Sequence, residues 1–394
     1  MKVRMNPLSK IISGFFKDAE KLLLIEQYED GYYVTSAISR ASERTLLLTD
    51  RYRVSSLDAV KLPPAWVGAW DRAILALHSS SATTVEGVVN VVRDRPREMI
   101  TEGELDAMLF KAFWSFLNRY RPFAAKKFNT NELDPVVANI AVCGVSLGDH
   151  KVFNPLDFSG ANVTIRFRGT FVPREILIPV ERLSKFVKGN MFVVERGTIL
   201  SVALNQENAF IDIGDATTTI YMSYKGESAY LHELEWGVGR IMKAIAKFFG
   251  VSESIVPEIL RRYTKNQVSE KVRRTIERIV KEEVRELHRL ITPTLQSAGM
   301  EKHSLLHYTL RTHESLPQAL VDEFGFARVA FSEMLDASAN AYTAKHGILA
   351  MRPDLERQSF VLLGYPYLHP QYAFLNQLLR RRVRWLVPSA AIKN

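Results

Sequence analysis

The segment Ala209-Phe210-Ile211-Asp212-Ile213-Gly214-Asp215-Ala216-Thr217-Thr218-Thr219-Ile220-Tyr221 carries the most chemistry in the chain. An apolar run enters Asp-x-Gly, turns, and leaves through three threonines into a second run. Such a strand-turn-strand presents backbone N–H groups and threonine hydroxyls to a phosphate, with the aspartate placed to hold Mg²⁺ through water. Asp212, Gly214, Thr217 and Thr218 are therefore the candidate phosphate ligands; a polar hairpin turn that binds nothing is the alternative. Two other patterns carry less. Gly144-Val145-Ser146-Leu147-Gly148 has the spacing of a hydrolase nucleophile turn, but His150, Lys151, Val152, Phe153 and then Pro155 follow where that turn requires a helix. His303 and His307 are four apart, as in a helical metal pair, yet the run they sit in reads toward a strand and no nearby carboxylate completes a site. Neither a serine hydrolase nor a metal centre is expected.

For the candidate ligands to converge, the chain around them must form strands and turns. Residues 22–27 and 32–37 flank Glu29-Asp30-Gly31 as a hairpin, and 45–54 supplies a third strand. Pro63-Pro64 breaks the chain, and 73–77 and 85–92 read as strands. Thr101, with Glu104 three residues on, makes a capping box opening a helix to about Tyr120. Strands are expected near 137–147 and 161–172, a short helix from Val180, and strands near 191–195, 199–204, 208–213 and 217–223. From Trp236 onward helices dominate. The charged one near 267–291 has Val268, Val272, Ile276, Ile279, Val280, Leu287 and Ile291 as its apolar stripe and is expected to end at Pro293. Strand-rich openings near 22–54 and 199–224, each followed by helices, suggest two related α/β halves.

The chain has 394 residues, 47% hydrophobic and 24% charged, which is enough for two or more domains with cores of their own. Its single cysteine, Cys143, excludes an intramolecular disulfide and suits a reducing compartment. No apolar run approaches the roughly 20 residues that span a bilayer, and no signal peptide is expected. Of the net charge of +9, residues 1–21 hold +3 and residues 371–394 hold +5. A nucleic-acid-binding fold would carry its excess along a groove rather than at the chain ends, so no nucleic-acid partner is expected.

Both ends read as amphipathic helices. After Asn6-Pro7 come Leu8, Ile11, Ile12, Phe15, Phe16, Ala19, Leu22 and Leu23 at helical spacing. In the terminal stretch 371–387, Phe374, Leu375, Leu378, Leu379, Trp385 and Leu386 share one face, with Arg380, Arg381 and Arg384 on the other. Apolar anchors opposite arginines suit a helix lying in the interface of an anionic membrane. Docking on the protein's own body is the alternative.

Residues 211–220 resemble the Asp-Ile-Gly-Gly-Gly-Thr-Thr-Asp-Ile phosphate loop of the actin-like ATPase superfamily. The stretch Met99-Ile100-Thr101-Glu102-Gly103-Glu104-Leu105-Asp106 and, further on, Asn154-Pro155-Leu156-Asp157-Phe158-Ser159-Gly160 look like the small inserted domain of the bacterial cell-division FtsA family and its pilus relative, the PilM family. The similarity spans about residues 20–350 and is clearest over 95–225. It implies an α/β protein of actin-like ATPase fold, two ribonuclease-H-like lobes with a small inserted α+β domain. The implied division is an N-terminal amphipathic helix 1–21, a first lobe of 22–82 plus 173–204, an insertion of 83–172, and a second lobe of 205–350 with a helical subdomain near 256–299. A linker 351–370 and a basic helix 371–387 follow. Residues 339–347 resemble the last helix of the fold, and FtsA holds the membrane by a basic amphipathic helix after it.

The departures weigh against nucleotide. Where the first loop should read like Leu-Asp-Ile-Gly-Thr, this chain has Leu24-Ile25-Glu26-Gln27-Tyr28, so Glu26 stands where the aspartate belongs and the glycine is gone. The second loop replaces two glycines by Asp215 and Ala216, and an aspartate side chain there repels a triphosphate. The adenine loop aligns with Thr312-His313-Glu314-Ser315-Leu316-Pro317, and Glu258 with Arg261 fits the family's ribose and base pair. ATP and Mg are thus expected to bind weakly or not at all, leaving at most a weak ATPase. The resemblance implies a cytoplasmic adaptor, peripheral on the inner face of the membrane, that tethers the tubulin-like division polymer, recruits divisome proteins and self-associates into filaments. A PilM-like component of type IV pilus or secretion assembly is the near alternative, and an active ATPase of the actin and sugar-kinase superfamily is the alternative of another class.

Overall fold

The structure is a computed structural model that describes residues 19–29, 31–40, 45–61, 69–204, 208–224, 227–298, 307–310, 316–325, 327–328, 343–345, 358–359, 361–365 and 370–383. The expected N-terminal helix lies outside them up to residue 18, as do Pro63-Pro64 and His303. The chain divides into two compact units, one built from residues 1–83, 87–194 and 338–394 and the other from 84–86 and 195–337.

In the first unit, strands β1 (Ala19–Tyr28), β2 (Gly31–Arg40) and β3 (Thr45–Val54) form an antiparallel meander, and β4 (Arg72–Leu77) lies parallel to β1. With β9 (Met191–Glu195) and β15 (Thr343–Lys345) the sheet order is β15-β3-β2-β1-β4-β9. Ala19, Leu22 and Leu23 therefore belong to a strand, not to an N-terminal helix. β1 buries Leu22 through Ile25 on both faces, as a central strand must, and α2 (Leu177–Ser184) adds Val180 and Leu183 to the core below Leu23, Ile25 and Leu75. At the β1–β2 turn Tyr28 pairs with Gly31, whose φ of 135° favours glycine; a Cβ there would stand 2.5 Å from the Val54 carbonyl oxygen.

A separate four-stranded sheet, β5 (Thr83–Val92), β8 (Asn162–Pro173), β6 (Pro135–Leu147) and β7 (His150–Lys151) in that order, packs on α1 (Glu102–Phe128). The Thr101 hydroxyl caps α1 by accepting from Glu104 N at 3.3 Å, as the capping box requires. The helix runs eight residues past the expected Tyr120 because Pro122 lies on its exposed side and Ala124 and Ala125 stay buried. Phe116 fills the space between α1 and the sheet, 5.6 Å from Phe167, and Gly169 leaves room for its ring. Arg93, 5% exposed, joins the two segments singled out above: it pairs with Glu104 at 2.7 Å and donates to the carbonyls of Glu98 (2.9 Å) and Gly160 (3.0 Å).

In the second unit, β10 (Asn208–Ile213), β11 (Thr218–Tyr224), β12 (Glu227–Leu234), β13 (His307–Leu310) and β14 (Ala327–Arg328) form a sheet of order β12-β11-β10-β13-β14. Its first three strands are again an antiparallel meander and the fourth is parallel to the first. Third-second-first-fourth-fifth is the order of a ribonuclease-H-like half, and it occurs in both units: the protein has an actin-like fold. Helices α3 (Arg196–Leu204), α4 (Val238–Phe249), α5 (Val256–Thr264) and α6 (Glu270–Ser297) complete this unit, with Ile241, Ile245, Ile276, Val280 and Leu287 in its core.

Three local expectations fail, and one strand was not foreseen. Residues 199–204 are helical, not a strand; α3 is buried on every side through Val202, and a run that is apolar but for Ser201 has no period to read. Pro293 lies inside α6, which continues to Ser297. Strand β12, with Tyr224 paired to Glu227, is a further strand that the polar run Glu227-Ser228 concealed. Thr343, Ala344 and Lys345 pair with Thr45, Leu46 and Leu47, so the part of 339–347 that the structure describes is a strand of the first sheet rather than a helix of the second lobe.

Candidate functional site

Each phosphate-loop candidate is a β-hairpin turn, and each is closed by side chains of its own unit. Glu26 is fully buried at the end of β1. The Ser359 hydroxyl donates to Glu26 Oε2 at 2.7 Å, Arg51 Nη2 lies 3.6 Å from the same oxygen, and Tyr28 Oη lies 3.5 Å from Oε1. Arg51 in turn donates to Ser359 at 3.0 Å and stacks its guanidinium 4.7 Å from the Tyr33 ring centre. Next along β1, Gln27 bonds Ser81 (2.9 Å) and the His78 N–H (3.0 Å). A buried carboxylate needs a cation and donors, and Glu26 finds them in the chain itself.

The second turn shows the same economy. Asp212, 2% exposed, has Oδ2 3.6 Å from Nη2 of Arg196, which is 1% exposed at the start of α3. The preceding Glu195, also buried, accepts from the Thr84 N–H (2.7 Å), the Thr198 hydroxyl (2.8 Å) and the Tyr221 hydroxyl (2.9 Å). Burial, with Glu233 and Glu195 close by, pushes the neighbouring Tyr230 up to about 12. Thr218 donates its hydroxyl to the Trp236 carbonyl at 2.7 Å. The first N–H groups of α4, whose positive end would serve a phosphate, point at the turn's own carbonyls: Val238 N to Gly214 O at 2.9 Å and Gly239 N to Asp215 O at 2.8 Å. This approach is so close that a Cβ on Gly237 would lie 2.3 Å from Asp215 O. The Thr217 hydroxyl is buried with no hydrogen-bond partner among the described residues.

Most of the groups that a Mg-phosphate ligand would use at this turn have a neighbour within the fold. The aspartate meant for the metal faces a guanidinium, one threonine is engaged, and the helix N-terminus is covered. Glu258 and Arg261 lie on the exposed side of α5 and pair with each other at 2.6 Å, with Arg262 3.0 Å from the same carboxylate. These two guanidinium groups hold the Glu258 carboxyl down at about 2. The adenine-loop residues 312–315 lie outside the described residues, while Leu316 and Pro317 are buried. Gly144 to Leu147 belong to β6 and Gly148 turns into β7, so no nucleophile elbow forms there. His307 opens β13.

The terminal helix requires a correction. α7 (Ala373–Val383) buries Leu375, Leu378 and Leu379 against α1 and β6, and these side chains are not available to lipid. Asn376, 8% exposed, fixes the docking by a paired amide contact: its Oδ1 accepts from Val142 N at 2.7 Å and its Nδ2 donates to Val142 O at 3.2 Å. Arg380 lies over Phe192, and its burial pulls the guanidinium below its ordinary value. Arg381 is 3.6 Å from Glu102, and Arg382 pairs with Asp106. Phe374 is half-buried; Arg384, Trp385 and Leu386 lie outside the described residues. Neither Arg51, Ser359 nor Arg196 was legible as a site residue. The one available signal was that a carboxylate inside an apolar strand, such as Glu26 or Asp212, must find a cation somewhere.

No family model matches the chain, and no curated protein matches it. Among solved structures it is similar to one described as a PilM-PilN type IV pilus biogenesis complex, at 12% identity and a TM-score of 0.48, over 89% of this chain and 98% of that one. It is also similar to a Bacteroides thetaiotaomicron protein described as having an actin-like ATPase fold and unknown function, at 9% identity and 0.39, over 89% and 97%. MreB 5 of Spiroplasma citri, bound to AMPPNP, is similar at 10% identity and 0.37, over 93% and 98%.

Proposed function

We propose that this actin-fold chain is a protein-binding scaffold that does not cycle nucleotide, a cytoplasmic component of a pilus or secretion assembly that holds the tail of a membrane partner. The observation that carries this is the Arg196–Asp212 pair together with the covered start of α4: a guanidinium lies 3.6 Å from the aspartate that would take Mg²⁺, and two N–H groups that would face a phosphate bond the turn's own carbonyls. The Arg93-centred joint between residues 98–104 and 160 adds support, since those segments are the ones that resemble the inserted domain of the PilM and FtsA families. A division adaptor of FtsA type, tethering a tubulin-like polymer, would hold the membrane by its own terminal helix; the burial of Leu375, Leu378 and Leu379 favours attachment through a partner instead. On this view the protein sits at the inner face of the membrane because its partner does.

Titration with a fluorescent ATP analogue and Mg²⁺ tests the proposal. No saturable binding is expected up to about 1 mM, a free energy of only about −4 kcal/mol. Binding in the micromolar range that Asp212→Ala abolishes, or phosphate release lost in the same variant, would return the chain to the ATPases.

A further inference from the structure

A groove of about 580 Å³ runs between α4 and α6 in the second unit. Its apolar lining comes from Ala244, Phe248 and Ile279, and Phe248 is 54% exposed although Ile241 and Ile245 of the same helix are fully buried. The small Ala244 side chain between two long neighbours lets an incoming group approach the helix closely. Alongside lie Lys243 and Lys247, both exposed and one turn apart. With Arg240 they make a cationic row on a helix that has no acidic residue, so like charges at helical spacing repel one another.

The other charges of the groove are already matched. Arg240 is 3.3 Å from Glu283, and Arg278 is 3.2 Å from Glu282 while its guanidinium lies 5.6 Å from the Phe248 ring centre. Among the described residues that leaves Lys243 and Lys247 as the charges of the groove without a counter-ion at hand. An exposed phenyl ring beside two uncompensated ammonium groups is complementary to an apolar side chain flanked by carboxylates. A flat anionic bilayer suits the site less well, because the groove is concave and Glu282 and Glu283 line its other side.

We infer that the α4–α6 groove docks an acidic amphipathic segment of a partner protein, with an apolar anchor against Phe248 and Ile279 and its carboxylates on Lys243 and Lys247. The mode is helix in groove, in which apolar anchors one turn apart enter and the flanking charges set register. This rests on the scaffold proposal only in requiring a protein partner; it requires nothing of the nucleotide loops.

The probe is a fluorescein-labelled helical peptide of about 14 residues, with leucines at i and i+4 and glutamates at i+3 and i+7, beside a twin with glutamines for the glutamates. Anisotropy is read on the full chain without nucleotide, so its outcome is separate from that of the ATP titration. The acidic peptide is expected to bind more tightly than its twin and to weaken as salt rises. Lys243→Glu/Lys247→Glu should weaken it about tenfold or more, and Phe248→Asp should do likewise. Lys111→Glu/Lys126→Glu, the same charge change on the exposed side of α1, should leave it within about twofold. Melting curves confirm that each variant folds, as expected for exposed positions. Equal binding of the two peptides, equal loss in both charge variants, or no loss in Phe248→Asp overturns the inference. So does binding to phosphatidylserine vesicles that needs Phe248 while the peptide is ignored, which would make the groove a lipid contact.

Discussion

Replacing Leu379 by alanine distinguishes a terminal helix that belongs to the core from one that belongs to a membrane. Leu379 is fully buried between Leu375, Leu378 and Val383 of α7 and the elements it packs on, α1 and β6. The change removes three carbons from a packed site, and such truncations cost about 2–5 kcal/mol from lost transfer energy plus the cavity left behind. With Leu379 at zero exposure a value near 3 kcal/mol is reasonable, and for a domain of this size each kcal/mol moves the midpoint by about 2–4 °C. The first unit should therefore melt about 6–12 °C lower by calorimetry. Arg381→Ala is the control: its partner Glu102 is 3.6 Å away and both side chains are exposed, so the loss should stay below about 1 kcal/mol. Co-sedimentation with anionic vesicles is measured on the same samples. If Leu379→Ala melts like the wild type yet loses vesicle binding that the wild type has, the packing of α7 described above is wrong and the helix is a membrane anchor.

Asn376→Ala should destabilise the same unit by about 1–3 kcal/mol for each Val142 backbone group left without its partner, read from urea unfolding. Arg196→Met leaves Asp212 a buried carboxylate without its guanidinium, and should cost about 3–5 kcal/mol in the second unit; an unchanged urea midpoint would mean that the pair is not what holds this turn. Glu258 should titrate by carboxyl NMR near 2 and move toward the ordinary glutamate value in Arg261→Ala/Arg262→Ala. Because its folded value is depressed, the stabilisation its ion pairs give is present above about pH 4.3 and is lost as pH falls toward 2.

Local rules sufficed where one stretch of chain decides its own structure. The meander of 22–54, the capping box at Thr101 and Glu104, the long strands of the inserted sheet and the Asp212 hairpin were all legible, because turn chemistry, capping and alternation act over a few residues. Only the resemblance to actin-like phosphate loops marked Glu26, Asp215 and Ala216 as departures; the local rules carry no such information. They could not say what replaced the ligand. Arg196 reaches Asp212, and Arg51 and Ser359 reach Glu26 from 25 and 333 positions away, only because the sheets bring them there; a buried carboxylate announces its need for a cation but not the cation's address. Residues 199–204 lost their strand reading for a related reason, since an element buried on all sides shows no period. The amphipathic face of α7 was visible in the sequence, but amphipathicity specifies only that an apolar surface will be covered. For Leu375, Leu378 and Leu379 it is the tertiary structure that puts protein over this face, through the β6 strand whose Val142 N–H and C=O groups meet the Asn376 amide.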